Sequence, residues 1–173
     1  MAPLVLVVLL SGLGPSADPA EAQLRRLLEL RAPDSLKDFR LPEPADLTGD
    51  WAAHPRSFLV QADFDGDSRT DTAVLLIRRS GPGFRLLVVF GKGGAAVLED
   101  QVWPAQGFGL SVARPGRYRT AAGKGYDLGP NNHDPPEVQV TLPAIERYHF
   151  ESWSALWYWD RGANRFQYIQ LSD

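Results

Sequence analysis

Short runs of β-branched and aromatic residues, separated by turn residues, dominate the chain from residue 57 onwards. Because the runs recur at intervals of about a dozen residues or fewer, they predict strands that pair antiparallel with their neighbours. Glycines in the segment 91–94 predict one hairpin turn, and the segment 160–164 predicts another. The predicted strands are SFLVQA (57–62), TAVLLIR (72–78), FRLLVVF (84–90), AAVLED (95–100), the stretch around PGRYRTA (115–121), EVQVTL (137–142), RYHFE (147–151), ALWYW (155–159) and RFQYIQL (165–171).

One convincing helix precedes these runs, over residues 18–31. Asp18 is its predicted N-cap, Pro19 occupies the first helical position, and three leucines at helical spacing share one face. Prolines and charged residues in the segment 32–56 predict an irregular connection over the surface. These elements indicate an α+β fold class, mostly β: a twisted antiparallel sheet or small sandwich over residues 57–173, with the helix packed against it.

The first residues resemble a targeting segment. An apolar run over residues 4–10 is followed by glycine, proline and small residues, which predicts a signal peptide over residues 1–17 and a secreted or periplasmic protein. Cleavage after Ala22 is the alternative to cleavage after Ala17, but it would remove the predicted helix cap. The apolar run is too short to span a bilayer, and no stretch of about twenty apolar residues occurs elsewhere, so we expect no membrane span in the mature chain. The sequence has no cysteine, which excludes disulfide bonds and attachment of a lipid to cysteine.

The charge of the chain argues against one class of partner. The formal net charge is −3, from 18 basic and 21 acidic residues. The lysines and arginines are scattered rather than gathered into a basic surface that could follow a phosphate backbone. We therefore expect no nucleic-acid partner.

Four aspartates crowd the turn between the first two predicted strands, in the stretch QADFDGDSRTDTAVLLI. If Asp63 is position 1 of a loop, Asp65, Asp67 and Asp71 fall at positions 3, 5 and 9, and the backbone carbonyl of Arg69 falls at position 7. Calcium prefers six to eight oxygen ligands, and alternating residues of a tight loop supply them. Converging carboxylates also repel one another unless a cation neutralises them. These residues therefore predict a Ca²⁺ loop over residues 63–71, whereas a solvated acidic hairpin turn is the alternative.

The loop differs from an EF-hand. Position 12 is Val74, where an EF-hand has a bidentate glutamate, and glycine stands at position 4 rather than at position 6. The predicted flanks are strands rather than helices. A calcium loop between two strands therefore differs from the helix–loop–helix arrangement of an EF-hand.

The phrase DFDGDSRTDTAVL resembles the D-x-D-G-D-x-x-x-D calcium loop of FG-GAP and VCBS repeats. A propeller needs several such blades, and this chain has one loop. It is more similar to small secreted bacterial proteins with a single loop and an aromatic ending, here FESWSALWYWDRGANRFQYIQLSD; the similarity runs from about residue 57 to residue 173. It implies that Asp63, Asp65, Asp67 and Asp71 are calcium ligands, although Ser68 stands where glycine is common. The resemblance implies a fold and an ion rather than an activity.

Two other regions are candidates for binding a glycan or a protein partner. Eight of the eighteen aromatic residues fall between Tyr148 and Tyr168 and could form a platform for sugar rings or part of the core. Since neighbours on a strand point to opposite faces, Trp157 and Trp159 should share one face and Tyr158 the other. The segment 123–137 is a long stretch without apolar periodicity, and such loops often have a function.

Evidence for an enzyme is weak. The chain has no G-x-S-x-G motif, no phosphate-binding loop and no cysteine nucleophile. Glu146 and Glu151 could act as an acid and base pair, and His133 could assist a small hydrolase. The preferred hypothesis is a non-enzymatic calcium-binding domain in which the ion is structural; the binding module is the first alternative and the hydrolase the second.

Overall fold

The structure, a computed structural model, describes residues 19–129, 134–150 and 152–172. The predicted signal peptide lies outside the described residues. The helices are α1 (Pro19–Arg31), α2 (Ser35–Asp38) and α3 (Asp50–Ala53). The strands are β1 (Phe39–Arg40), β2 (Leu59–Ala62), β3 (Asp71–Arg78), β4 (Phe84–Val89), β5 (Ala95–Gln101), β6 (Phe108–Ala113), β7 (Gly116–Arg119), β8 (Glu137–Val140), β9 (Ala144–His149), β10 (Ser154–Asp160) and β11 (Arg165–Gln170).

The strands form two main antiparallel sheets and a two-stranded ribbon. Sheet 1 has the order β1-β3-β4-β5, and β2 pairs with the same edge of β3 as β1 does, further along its length. Sheet 2 has the order β11-β10-β9-β6, and β7 pairs with β8 in the ribbon. The predicted hairpin turns at 91–94 and 160–164 connect β4 to β5 and β10 to β11. The predicted fold class, α+β and mostly β, is confirmed.

The main core joins the two sheets. Leu75 and Phe84 of sheet 1 and Leu110 and Ile145 of sheet 2 belong to one cluster of buried side chains. Trp51 of α3 joins this cluster, is fully buried, and donates from its Nε1 to the carbonyl oxygen of Phe108 at 2.7 Å. The segment 32–56, predicted to be an irregular surface connection, thus contains short helices, β1 and a core anchor.

The other face of sheet 1 is covered by α1. Leu24 and Leu28 pack with Val74, Leu76 and other apolar residues of β3 and β4 in a second buried cluster. The helix forms as its leucine spacing predicts. Because β3 is covered on both faces, it is a continuous apolar run rather than an alternating one.

The ribbon of β7 and β8 packs near the far face of sheet 2. Val140 of the ribbon shares a third cluster with Leu156 and Ile169. The long segment that begins at Gly123 is held at its base, where the Thr120 hydroxyl donates to the carbonyl oxygen of Pro135 at 2.6 Å. A Cβ atom on Gly123 would stand 1.9 Å from the carbonyl oxygen of Pro136, so only glycine fits there.

The edge strand β5 of sheet 1 is irregular. A β-bulge interrupts its pairing with β4: Leu86 pairs with Glu99 and Leu87 with Val97, which leaves Leu98 as the extra residue. The bulge changes the directions in which the side chains of β5 point.

The described helices include none with both the length and the apolar character that crossing a bilayer would require.

Candidate metal centre

The acidic loop closes the hairpin between β2 and β3. Ala62 pairs with Asp71 at the last rung of the hairpin, and residues 63–70 form the turn between them. Gly66 has a φ of 79° and Ser68 a φ of 68°, both in the left-handed region. Glycine adopts this conformation readily, whereas serine does so at some steric cost. The loop therefore holds a tight, specific shape.

Backbone N–H groups of the turn are bonded to the carboxylate of Asp63. Its Oδ1 accepts from the N–H of Gly66 at 2.8 Å and from that of Asp67 at 3.1 Å, and its Oδ2 accepts from Ser68 at 2.9 Å. Asp65 Oδ1 accepts a further bond from Asp67 at 3.1 Å. The turn thus folds around its first two carboxylates.

Three of the four predicted carboxylate ligands converge. Asp63, Asp65 and Asp71 each present an oxygen, and these oxygens lie within 4.8 Å of one another. The Asp65 side chain is 1% exposed, and Asp71 is fully buried. This cluster could hold a metal ion.

The other two predicted ligands, Asp67 and the backbone carbonyl of Arg69, are not among the three converging carboxylates. Asp67 Oδ1 accepts from the N–H of Arg69 at 2.8 Å, and Asp67 is not part of the converging group. The backbone carbonyl of Arg69 remains a predicted ligand. The spacing of the aspartates therefore predicts a cluster here. The three carboxylates that converge are those at positions 1, 3 and 9, which are Asp63, Asp65 and Asp71.

Burial raises the pKa of the Asp71 carboxyl above its ordinary value, and the nearby charge of Asp65 adds to this effect. Backbone hydrogen bonds oppose the shift: Gly91 N–H donates to Oδ1 at 2.8 Å, Phe64 N–H donates to Oδ2 at 2.9 Å, and the backbone of Asp65 adds a smaller effect. Desolvation of a carboxylate beside a second carboxylate is unfavourable without a compensating positive charge.

A lysine side chain reaches the cluster directly. The ammonium group of Lys92, in the turn between β4 and β5, contacts Asp65 Oδ2. The hydrogen bond to Asp65 raises the pKa of Lys92, and the charges of Asp67 and Asp71 add to the shift. Lys92 was not predicted, because the sequence places it 27 residues from Asp65. With three carboxylates and one ammonium group, the ionised cluster retains an excess of two negative charges.

The other sequence candidates lie elsewhere. Glu146, which is half-buried, accepts a hydrogen bond from Ser111 at 2.8 Å. His149 lies against Phe108 with ring centroids 5.1 Å apart, and His54 stacks on Phe150 at 5.3 Å. Glu151 and His133 fall outside the described residues, so the hydrolase hypothesis stays a prediction.

The C-terminal aromatic residues divide between two faces of sheet 2, as the alternation predicts. Tyr158 packs with Leu156 in the third cluster, whereas Trp157 packs at the margin of the main core. Trp159 contacts Phe90 and Phe166 with ring centroids 5.8 and 5.1 Å away. Trp157 and Trp159 are half-buried, so they are packed on one side and accessible on the other.

No family model, curated protein or solved structure matches this chain.

Proposed function

We propose that this protein is a secreted or periplasmic, non-enzymatic β-rich domain whose acidic loop binds Ca²⁺ as a structural ion. The observation that carries the proposal is the convergence of Asp63, Asp65 and Asp71 within 4.8 Å, two of them buried. A single lysine does not neutralise three ionised carboxylates. Lys92 and a divalent cation together would neutralise them.

The chemistry of the ligands favours calcium over softer metals. The cluster offers carboxylate oxygens, the chain has no cysteine, and no histidine of the described residues belongs to the cluster. Oxygen ligands suit Ca²⁺ and Mg²⁺, and a flexible set of many oxygens suits Ca²⁺ better. Asp67 and the backbone carbonyl of Arg69 are the further ligands that the spacing predicts.

A bound ion would stabilise more than the turn. Asp71 is the first residue of β3, and its carboxylate also accepts from Gly91 in the turn that follows β4. An ion held there connects two adjacent hairpin turns at one end of sheet 1. The expected effect is therefore on the stability of the whole domain.

The test is thermal unfolding of the purified protein in excess EDTA, in Ca²⁺ and in Mg²⁺. At a Ca²⁺ concentration about a hundredfold above Kd, stabilisation of about 2.7 kcal/mol should raise Tm by roughly 5–10 °C. Asp65→Asn should abolish the increase. Asp160→Asn is the matched control, because Asp160 also accepts backbone hydrogen bonds in a hairpin turn, from Gly162 and Ala163, but lies outside the cluster.

Calcium should still stabilise the control variant by the same amount. Equal Tm values of the wild type in EDTA and in Ca²⁺ would refute the structural ion. An equal increase in Mg²⁺ would argue for a site that is not selective for calcium.

A further inference from the structure

A groove runs between the edge of sheet 1 and the face of sheet 2, and one end of it, at Phe90 and Trp159, lies beside Lys92. Three cavities of about 480, 570 and 360 Å³ follow one another along β5. The first two share Gln101, Arg147 and Trp153, and the second and third share Leu98 and Trp157. They therefore form one elongated depression, and each part of it has the volume of a small-molecule site.

Tryptophans line the groove along its length. Trp103 and Trp153 line the first cavity, Trp157 the second, and Trp159 the third. Trp103 is 61% exposed, which is a large apolar surface to leave in water. Four of the five tryptophans of the chain thus lie along one groove, whereas Trp51 is buried in the core.

A buried ion pair lies between the first two cavities. Arg147 is 2% exposed, and its Nε lies 2.8 Å from Glu99 Oε2. Its guanidinium group also lies over the rings of Trp153 and Phe108, at 4.3 and 5.3 Å. Burial lowers the pKa of Arg147, and Glu99 and Tyr168 oppose that shift. Because the two charges compensate each other, the middle of the groove has no net charge to attract an ionic ligand.

A buried polar atom in this region lacks a hydrogen bond: Trp157 Nε1 has no acceptor among the described residues. Arg147 Nε and Glu99 Oε2 satisfy each other as an ion pair, at 2.8 Å. Buried polar atoms are usually satisfied, and an exception calls for a ligand or for water. Trp157, Arg147 and Glu99 all line the second cavity.

Two amide side chains are held in place beside the rings. Gln101 Nε2 donates to Glu99 Oε1 at 2.6 Å, and Gln170 Nε2 donates to the carbonyl oxygen of Ser172 at 3.0 Å. Each bond fixes the orientation of an amide that lines the second cavity. The amide oxygens are then acceptors that can bind hydroxyl groups.

The bulge in β5 explains how the groove acquires its ion pair. Successive strand residues normally point to opposite sides, but Leu98 and Glu99 both line the second cavity. The extra residue changes the direction in which the Glu99 side chain points. Leu98 therefore packs on the core while Glu99 contacts Arg147. A bulged edge is also a poor template for an added peptide strand.

We infer that this groove is a binding site for a neutral oligosaccharide. Pyranose rings present a C–H face that packs on indole rings and a rim of hydroxyls that bond to amides and indole N–H groups. Rings spaced along a groove whose central ion pair is neutral match the repeating units of a sugar chain. This site goes beyond the calcium loop, and its residues are not those of the acidic cluster.

The test has two stages. A glycan array of neutral and acidic oligosaccharides is first probed with the purified protein in Ca²⁺ and again in EDTA. Tryptophan fluorescence then follows titration with the neutral glycans that bind, as disaccharide and as hexasaccharide. We expect saturable binding that tightens from the disaccharide to the hexasaccharide. Trp103→Ala should weaken binding by roughly tenfold, since it removes one stacking surface.

Trp103 suits the test because an exposed side chain can be removed without unfolding the protein. Tyr126→Ala is the matched control: Tyr126 is 43% exposed and does not line these three cavities, so its loss should leave the affinity unchanged. Absence of binding to every neutral glycan would overturn the inference. So would binding confined to acidic glycans, or equal affinity of Trp103→Ala and the wild type.

A capped hexapeptide of alternating threonine and valine tests strand addition along β5. If this peptide binds in competition with the neutral glycans or in their place, the groove is a peptide site instead. Binding of glycans in Ca²⁺ and in EDTA alike would show that the groove functions without the ion. The outcome of the calcium experiment is therefore separate from the outcome for the groove.

Discussion

The ammonium group of Lys92 contacts the carboxylate of Asp65, whose side chain is 1% exposed. The two residues come from different hairpin turns, and Lys92 itself is half-exposed. A metal ion bound to Asp65 would share the same carboxylate with this ammonium group. The lysine is therefore both a partial neutraliser of the cluster and a competitor of the ion.

Lys92→Met should increase the affinity for Ca²⁺ by about tenfold, because a competing positive charge is removed from the cluster. The same variant should be less stable than the wild type in EDTA, since three carboxylates then lack a counter-charge. Calorimetric titration measures the affinity. Lys37→Met is the control, because Lys37 pairs with Asp34 at an exposed site. A lower affinity in Lys92→Met would mean that the lysine supports the binding-competent loop.

Trp51→Phe should destabilise the protein by about 1–3 kcal/mol. The substitution keeps an aromatic ring in the core but removes the donor to the Phe108 carbonyl oxygen, which would be left unsatisfied in a buried place. Urea unfolding monitored by far-UV circular dichroism measures the loss. Trp103→Phe, at an exposed tryptophan, should change stability little. Equal effects of the two substitutions would show that α3 contributes no specific anchor.

The Arg40–Asp46 pair should make the stability depend on pH. Arg40 Nη2 donates to Asp46 Oδ1 at 2.9 Å, and this pairing lowers the pKa of the Asp46 carboxyl. A carboxyl whose pKa is lower in the folded state stabilises the protein above the unfolded-state value of about 4. That contribution disappears as the pH falls through the folded-state value.

Asp46→Asn should therefore lower stability by about 1 kcal/mol at pH 7, and the difference from the wild type should shrink as the pH falls below about 4. Thermal melts of both proteins across this range measure it. Asp34→Asn removes an exposed pair with Lys37 and should have no comparable effect. A difference that stays constant with pH would contradict the assignment of the effect to ionised Asp46.

Local patterns in the sequence predict the hairpins, the first helix and the acidic cluster, because each depends on neighbours in the chain. The leucines of α1 and the alternation of β10 specify which face is buried, and the aspartate spacing brings three carboxylates together. These features need no knowledge of distant contacts.

The remaining features depend on contacts between distant residues. The strand β6 is hard to recognise because Gly109 interrupts its apolar run; the ring of Tyr148, opposite it on β9, fills the space. Trp51 stands among prolines and charges that suggest a surface segment. The contact of Lys92 with Asp65 and the shape of the groove depend on how the hairpins and sheets pack. The spacing of the aspartates alone does not distinguish Asp67 from the three aspartates that converge.

The strands β1 and β2 lie end to end along one edge of β3. The connection between them exposes residues 48–50, where a protease could cut the chain. Such a cut would leave a short N-terminal fragment, comprising α1, α2 and β1, still hydrogen-bonded to β3. We therefore expect a nicked molecule to persist as a noncovalent complex, in which β1 of the first piece stays paired with β3 of the second.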